Sequence, residues 1–275
     1  MAVSVIGVIL IIIGVVCIFM KKSSQKKVMA LSLTDTYTAA KLIELQKTIA
    51  GEMGAGSFRQ LAEVKGVIEC PDPLTAELSK EKCLYYKSEV DIEYEENYYE
   101  DNPQTKRREL KTRRTSENIT CVERGADFYV KDDTGKVRIN PAGAELDLTK
   151  SVDRFEPAAN VNYSNGAIRW GNFSFSVGSN YSDYTREGRK ILGYKFSEYI
   201  FPLKQKVFVI GEATDSMGEL QIAKPTADDG VFMISNKSEE QLAKEAKSSA
   251  QMLDIASKAC FAIGAIMAVA GFFIK

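Results

Sequence analysis

The chain holds 275 residues, 36 of them basic, 37 acidic and none histidine, for a formal net charge of −1. That balance argues against nucleic acid as a partner, because it lacks the excess positive field a polyphosphate requires. Without histidine neither a Ser-His-Asp nor a Cys-His triad can form, and the commonest general base near neutral pH is missing.

The chain opens on an apolar run, VSVIGVILIIIGVVCIFM at 3–20, in which thirteen residues are Val, Ile, Leu or Phe. About 20 helical residues cross a hydrocarbon core about 30 Å thick. At roughly 0.3–0.6 kcal/mol each, these side chains favour insertion by about 4–8 kcal/mol. A cleavable signal carries its positive charge ahead of the apolar core, whereas Lys21, Lys22, Lys26 and Lys27 all follow it here. Segment 1–20 is therefore predicted to be a transmembrane helix, and 21–57 a basic juxtamembrane segment with a helix at 32–50. In that helix Tyr37, Leu42, Leu45 and Ile49 recur at helical spacing, Thr34 or Asp35 caps the start, and the glycines of 51–56 end it.

From 58 to 236 the apolar period shortens to two, as half-buried strands require. Strands are expected at 61–70, 83–94, 118–123, 128–130, 137–139, 191–200, 206–211, 219–222 and 231–234, with a hairpin turn at Asp132, Asp133, Thr134 and Gly135. The segments 62–78 and 207–223 share a strand, a glycine, a turn and more strand, which a duplicated hairpin or chance explains equally. Between 94 and 120 the charges separate: Glu95, Glu96, Glu100 and Asp101 give way to Lys106, Arg107, Arg108, Lys111, Arg113 and Arg114. One reading is a solvated hairpin whose arms attract each other. The other is an arm that docks a protein partner or anionic lipid, and these six cations are the candidate partner-binding residues. Residues 155–185, rich in Asn, Ser, Gly and aromatics, read as an irregular insertion. The fold class expected is mainly β (α+β): a compact, barrel-like antiparallel β domain with flanking helices, between two transmembrane helices.

An amphipathic connector helix is expected at 237–257 and a second transmembrane helix at 258–275, whose apolar part ACFAIGAIMAVAGFFI is short and alanine-rich. A buried soluble helix is its alternative. Gly264 with Ala268, and Gly7 or Gly14 on the first span, allow close helix contact, and homo-oligomerisation through the spans is an expected partnership beside the lipid bilayer and an unidentified protein. Four lysines follow the first span and none precedes it, while Lys244, Lys247 and Lys258 precede the second against Lys275 after it. The positive-inside rule then places the central domain in the cytoplasm.

Little in the chain can carry chemistry. Cys17 and Cys260 lie in the spans, leaving Cys70, Cys83 and Cys121 without metal-type spacing, and unpaired thiols suit a reducing compartment. A RING module needs about eight Cys and His ligands around two metals, and these residues cannot supply them. The tripeptide Asp133-Thr134-Gly135 reads as a turn. No phosphate-cradling glycine motif occurs. Asn118, Asn162, Asn172, Asn180 and Asn236 open glycosylation-type triplets, which are plain polar surface in a cytoplasmic domain. No catalytic residue, metal or cofactor is expected.

Four segments, taken in order, carry a resemblance. They are VKGVIECPDPLTAELSKEKCLYYKSEV at 64–90, with Gly66, Pro73, Leu74, Cys83 and Tyr86; FYVKDDTGKVRINPAGAELDL at 128–148, with Gly135 and Pro141; GYKFSEYIFPLKQKVFVIGEATDSMGELQIAKP at 193–225, with Tyr194, Glu198, Pro202, Gly211 and Glu212; and FMISNKSEEQL at 232–242. Together they resemble the GIDE domain of mitochondrial E3 ubiquitin ligases, also found in RING-less membrane proteins of bacteria, and the present sequence resembles the latter. The resemblance covers roughly 60–275. It implies a domain held beside a membrane between two helices, across that membrane from a RING in the ligases, with the eleven residues from Gly66 to Glu212 other than Leu74 as structural motif positions. Family topology implies a location between mitochondrial membranes, against the cytoplasm favoured by the lysines. Three functions are carried forward: a non-catalytic, membrane-anchored interaction or scaffold domain; a ubiquitin-ligase component acting with a RING or conjugating partner; and a lipid-organising structural protein.

Overall fold

The computed structural model describes every residue except 1, 103, 172, 177–183, 185–188, 204, 228–229 and 274–275. Asn172 and Asn180 thus lie outside the described residues. The chain divides into two compact units, one of Met1–Val67, Tyr129–Glu145 and Lys206–Lys275, the other of Ile68–Phe128 and Leu146–Gln205.

In the first unit the helices α1 (Ala2–Leu33) and α3 (Glu239–Phe273) run antiparallel, side by side. Both are long and apolar enough to cross a membrane, and only 11% of each apolar window is buried within the protein. Ile12 (57% exposed), Phe19 (67%) and Ile266 (68%) face outward. A soluble core helix would hide such side chains, so the alternative weighed for the second apolar run loses its support. The helices approach closely because their contact is glycine: a Cβ on Gly7 would lie 2.7 Å from the Ala268 nitrogen and 2.8 Å from the Gly264 oxygen. Beyond the apolar runs the pair continues unbroken. Lys21 Nζ meets Asp254 Oδ1 at 2.6 Å, and Leu31 and Leu242 pack with Phe208, Ile210 and Met233. The expected first span and the basic segment after it share one helix, α1, and the expected connector and second span share another, α3. Helical hydrogen bonding ignores the change from apolar to charged side chains when no Gly or Pro interrupts it.

α2 (Ala39–Met53) starts later than the helix expected at 32–50, because the chain leaves helix at 34–38 to bridge β-strand residue Glu63, whose N–H donates to the Asp35 carbonyl while Tyr37 N–H donates to the Glu63 carbonyl. Thr38 is the N-cap, accepting from Lys41 N–H.

Five strands close a barrel in the same unit: β1 (Arg59–Glu69), β5 (Phe128–Lys131), β6 (Lys136–Ile139), β14 (Gln221–Ala223) and β13 (Lys206–Thr214), which returns to β1. β1 and β13 pair antiparallel from Arg59↔Thr214 to Val67↔Lys206, whereas β14 runs parallel to β6. The barrel expected to be antiparallel thus contains a parallel pair, and its circular order, first-second-third-fifth-fourth, is that of OB-type Greek-key barrels. Ala62, Val64, Phe128, Val130, Val137, Ile139, Val209 and Ile222 point into it. Gly66 lets β1 approach β5, since a Cβ there would sit 2.4 Å from the Lys131 oxygen. The similar segments 62–78 and 207–223 form β1 and the β13–β14 hairpin. β2 (Leu74–Thr75), which follows β1, pairs not with β1 but with residues 82–83, so the two are not copies of one hairpin. β15 (Met233–Ser235) pairs β13, and β7 (Glu145–Leu146) follows it at the sheet's edge.

The second unit is built from two insertions into that barrel, one between β1 and β5 and one between β6 and β13. Its sheet runs β2, β3 (Lys82–Asp101), β12 (Arg189–Pro202), β8 (Thr149–Pro157), with β4 (Arg108–Gly125) on the other side of β3. Alternate residues of β3 point inward, so Tyr86, Val90, Ile92 and Tyr94 meet Tyr194, Phe196 and Ile200 of β12. The segment read as irregular at 155–185 contains three short strands, β9 (Asn162–Ser164), β10 (Ala167–Trp170) and β11 (Phe173–Ser176). They pack Ile168, Trp170 and Phe175 on that apolar face, with the Trp170 ring stacked 4.6 Å from Phe196. Turns such as Asn165-Gly166, both at positive φ, leave strands of only three or four residues, too short to show alternation.

Candidate interaction surfaces

Among the described residues β12 pairs β3 as far as Arg189↔Glu96, while β4 pairs it to Asp101↔Arg108. Beyond that point, among the described residues, 97–101 and 108–112 pair only with each other, as a two-stranded ribbon. Asn102 closes its turn, Oδ1 accepting from the N–H groups of Gln104 and Thr105, and Lys106 takes a positive φ of 54°.

Most of the six predicted cations are spent within this hairpin. Arg113 Nε donates to Glu96 Oε1 at 2.6 Å, Arg114 pairs with Glu93, Lys111 with Glu100, and Arg108 lies 3.9 Å from Asp101. Arg108 also covers Tyr99 and Arg113 covers Tyr98, at 5.2 and 5.3 Å from the ring centroids. The Glu96 carboxyl is held below its ordinary range by Arg113, which outweighs the upward push of burial, with Arg189 adding to the effect. Lys106 and Arg107 sit at the tip. The sequence reading overlooked the directly opposed pair Tyr99 and Leu110, exposed by 63% and 58%. The available signal was the adjacent tyrosines Tyr98 and Tyr99 inside an otherwise charged run.

Buried ionisable groups elsewhere are saturated by their own fold. Glu198 is fully buried and accepts from Leu78 N–H at 2.6 Å, Ser79 N–H and Ser88 Oγ at 2.9 Å each, and Ser151 Oγ at 3.1 Å. Burial pushes its pKa up, but hydrogen bonds from Ser79, Leu78 and Ser88 outweigh it and leave the group below the usual carboxylate range. Cys83 is pushed up to about 11 by burial and then by the Glu198 charge, so it stays a thiol at neutral pH. In the other unit Asp132 Oδ1 accepts from Thr134 and Gly135 N–H within its turn, while Oδ2 accepts from Ala39 N–H at 2.8 Å and so caps α2. Asp215 ties Phe58 N–H, at 3.0 Å, to the Gln46 amide, at 2.9 Å.

The other motif positions make contacts of the same kind. Tyr86 donates to Glu77 at 3.1 Å. Glu212 accepts from Thr226 Oγ1 at 2.9 Å, and the Pro141 carbonyl accepts from Ala144 N–H. Tyr194 is buried in the second unit's core. Pro202 ends β12 opposite Cys83, and half-buried Pro73 leads into β2. A Cβ on Gly211 would lie 2.7 Å from the Phe232 ring. Among the described residues no group of three or more His, Cys, Asp or Glu is placed to hold a metal.

Two flanking helices able to cross a membrane, a closed barrel and an inserted sheet define a class of β-domain protein framed by long apolar helices. The chain matches the GIDE family, described as E3 ubiquitin ligase, over residues 96–271, and belongs to it. It is 27% identical over 157 residues to E3 ubiquitin-protein ligase SPL1 of Arabidopsis thaliana, a match covering 56% of this chain. The match spans 41% of that relative's length. No solved structure matches the chain.

Proposed function

We propose that this protein is a membrane-anchored, non-catalytic interaction domain that presents the 97–112 ribbon to a protein partner. The exposed Tyr99–Leu110 pair carries this reading. Apolar and aromatic side chains on an exposed two-stranded ribbon gain most by being covered, and the cations from Lys106 to Arg114 supply a polar rim. The saturated carboxylates of Glu198, Asp132 and Asp215 and the buried, protonated thiol of Cys83 support a structural rather than chemical role for them. The lysines beside the apolar helices favour a cytoplasmic domain, and the outward apolar faces of α1 and α3 suit lipid or a second copy of the pair.

The named relative favours a second reading, a ubiquitin-ligase component that works with a RING or conjugating partner. Full-length chain in mild detergent, incubated with activating enzyme, conjugating enzymes, ubiquitin and ATP, separates the two. No conjugates, with or without an added RING protein, is the expected result. Conjugation that depends on the chain overturns the non-catalytic reading.

A further inference from the structure

α1 and α3, both of the first unit, enclose a groove of about 700 Å³ beyond the end of the first apolar run. Three contacts set the level of one helix against the other: Lys21 stands opposite Asp254, Ser24 opposite Ser249, and Leu31 packs with Leu242. On that scale Ile255 opens the groove at the membrane end, the buried Ala250 lies in its floor, and Val28 and Met29 close the far end. Ile255 and Met29 are 69% and 62% exposed, so its apolar ends are uncovered. Asp254 is the acidic residue in the lining among those described, and Lys21 at 2.6 Å and Lys258 at 2.7 Å already share it. Lys247 lines the groove about two turns further along α3 and is exposed, with no ion pair among the described residues.

We propose that this groove receives an acidic amphipathic helix of a partner protein, its apolar stripe lying on Ile255, Ala250, Val28 and Met29 and a carboxylate meeting Lys247. Two packed helices leave a groove that the side-chain ridge of a third helix fills. From Lys21 to Met29 α1 rises about 12 Å, so about eight residues with apolar side chains at i, i+3, i+4 and i+7 cover the lining. Height separates protein from lipid. A headgroup layer is about 5–8 Å deep on each side of the hydrocarbon core, whereas Val28 and Met29 stand about 12–13 Å beyond Met20, where the apolar run ends. A lipid therefore leaves the upper apolar end in water. Charge separates a partner from a second copy. Copies inserted the same way in one membrane are related by an axis along its normal, so groove against groove sets Lys247 at the height of the other copy's Lys247, like charge facing like. An acidic helix brings the opposite sign. This surface is separate from the ribbon at 97–112, which belongs to the other unit.

The test titrates the full chain in phosphatidylcholine nanodiscs with fluorescent helical peptides about four turns long. All share one leucine composition: the first has a leucine stripe flanked by glutamates, the second the same stripe flanked by lysines, and the third is the first scrambled. The glutamate peptide is expected to bind at least about tenfold more tightly than the other two. Lys247→Glu is expected to reverse the order of the glutamate and lysine peptides. Gln251→Trp, at an exposed position of the lining, is expected to abolish binding by filling the groove. Tyr99→Ser/Leu110→Ser, on the ribbon, is expected to leave binding unchanged. Absence of binding, equal affinity for the glutamate and lysine peptides, or undiminished binding in Gln251→Trp overturns the proposal. Disulfide-linked dimers of Gln251→Cys in vesicles, beyond those of the wild-type chain, would show a second copy in the groove and overturn it too. Displacement of the glutamate peptide by soluble short-chain phosphatidylglycerol, but not by short-chain phosphatidylcholine, would show a lipid site, with the same consequence.

Discussion

Glu198 shows how one side chain holds the second unit's fold together. Four donors converge on a carboxylate with no solvent exposure, two of them backbone N–H groups from a segment 120 and 119 positions away. Glu198→Ala strands these donors in the interior, and each unpaired buried group costs about 1–3 kcal/mol, so a loss of about 3 kcal/mol or more is expected in chemical denaturation. The sign of the pH effect follows from the depressed pKa. The unfolded carboxyl binds protons more readily than the folded one, so its contribution is complete above the ordinary value of 4.5 and is lost as pH falls from there through the folded value. Denaturation midpoints measured between pH 7 and pH 3 are expected to fall less steeply in Glu198→Gln, and parallel curves would remove Glu198 from this role. Thiol reactivity offers a second check. Cys83 is buried with its pKa at about 11, whereas Cys121 is exposed. A soluble maleimide is expected to modify Cys121 well before Cys83 in the native state, and comparable rates would contradict the burial. Sequence alone marked Glu198 and Cys83 only through their place in a resembling motif. The donors to Glu198 come from residues remote in the chain, which no local pattern reveals.

At the scale of elements, alternation located the strands that bury one face, from β1 and β3 through β12 and β13. It stopped short on β3, which continues to Asp101. It missed β8, whose residues 149–157 bury only Glu156 and so show no apolar period. The opposed charges of 95–114 were legible as a hairpin, and the structure pairs them, but their mutual neutralisation was not countable before the register was known. That register makes a prediction. Among the described residues the ribbon 97–112 has no flanking strand, so its order leans on Lys111–Glu100, Arg113–Glu96 and the ring contacts of Arg108 and Arg113. At 1 M salt the screening length shrinks to about 3 Å. Amide exchange in 97–112 is expected to accelerate relative to 84–94 of the same strand when salt is raised, since the latter lies between two strand neighbours with a buried face. An unchanged ratio would mean the pairs contribute nothing to holding the arm.

For the whole molecule the decisive quantity is which side of the bilayer the domain occupies, because the partners open to the ribbon depend on it. The argument is electrostatic. Lys21, Lys22, Lys26 and Lys27 lie on the uninterrupted continuation of α1, within about two turns of its apolar run. They cannot swing away from the membrane as they could on a flexible linker. Lys258 is likewise fixed on α3, paired with Asp254 at 2.7 Å, and Lys21 shares that carboxylate. Part of the charge is thus neutralised in the folded state, but four lysines within about two turns of the first apolar run keep the bias toward the domain side. Cys121, exposed on β4, reports the outcome in cells expressing the full chain. A membrane-impermeant maleimide is expected to leave Cys121 unlabelled in intact cells and to label it once the plasma membrane alone is opened. Labelling in intact cells, or labelling only after a second, internal membrane is opened, would place the domain on the other face. Either result would exclude cytoplasmic proteins as the ribbon's partners and shift weight to the location implied by the family's ligases.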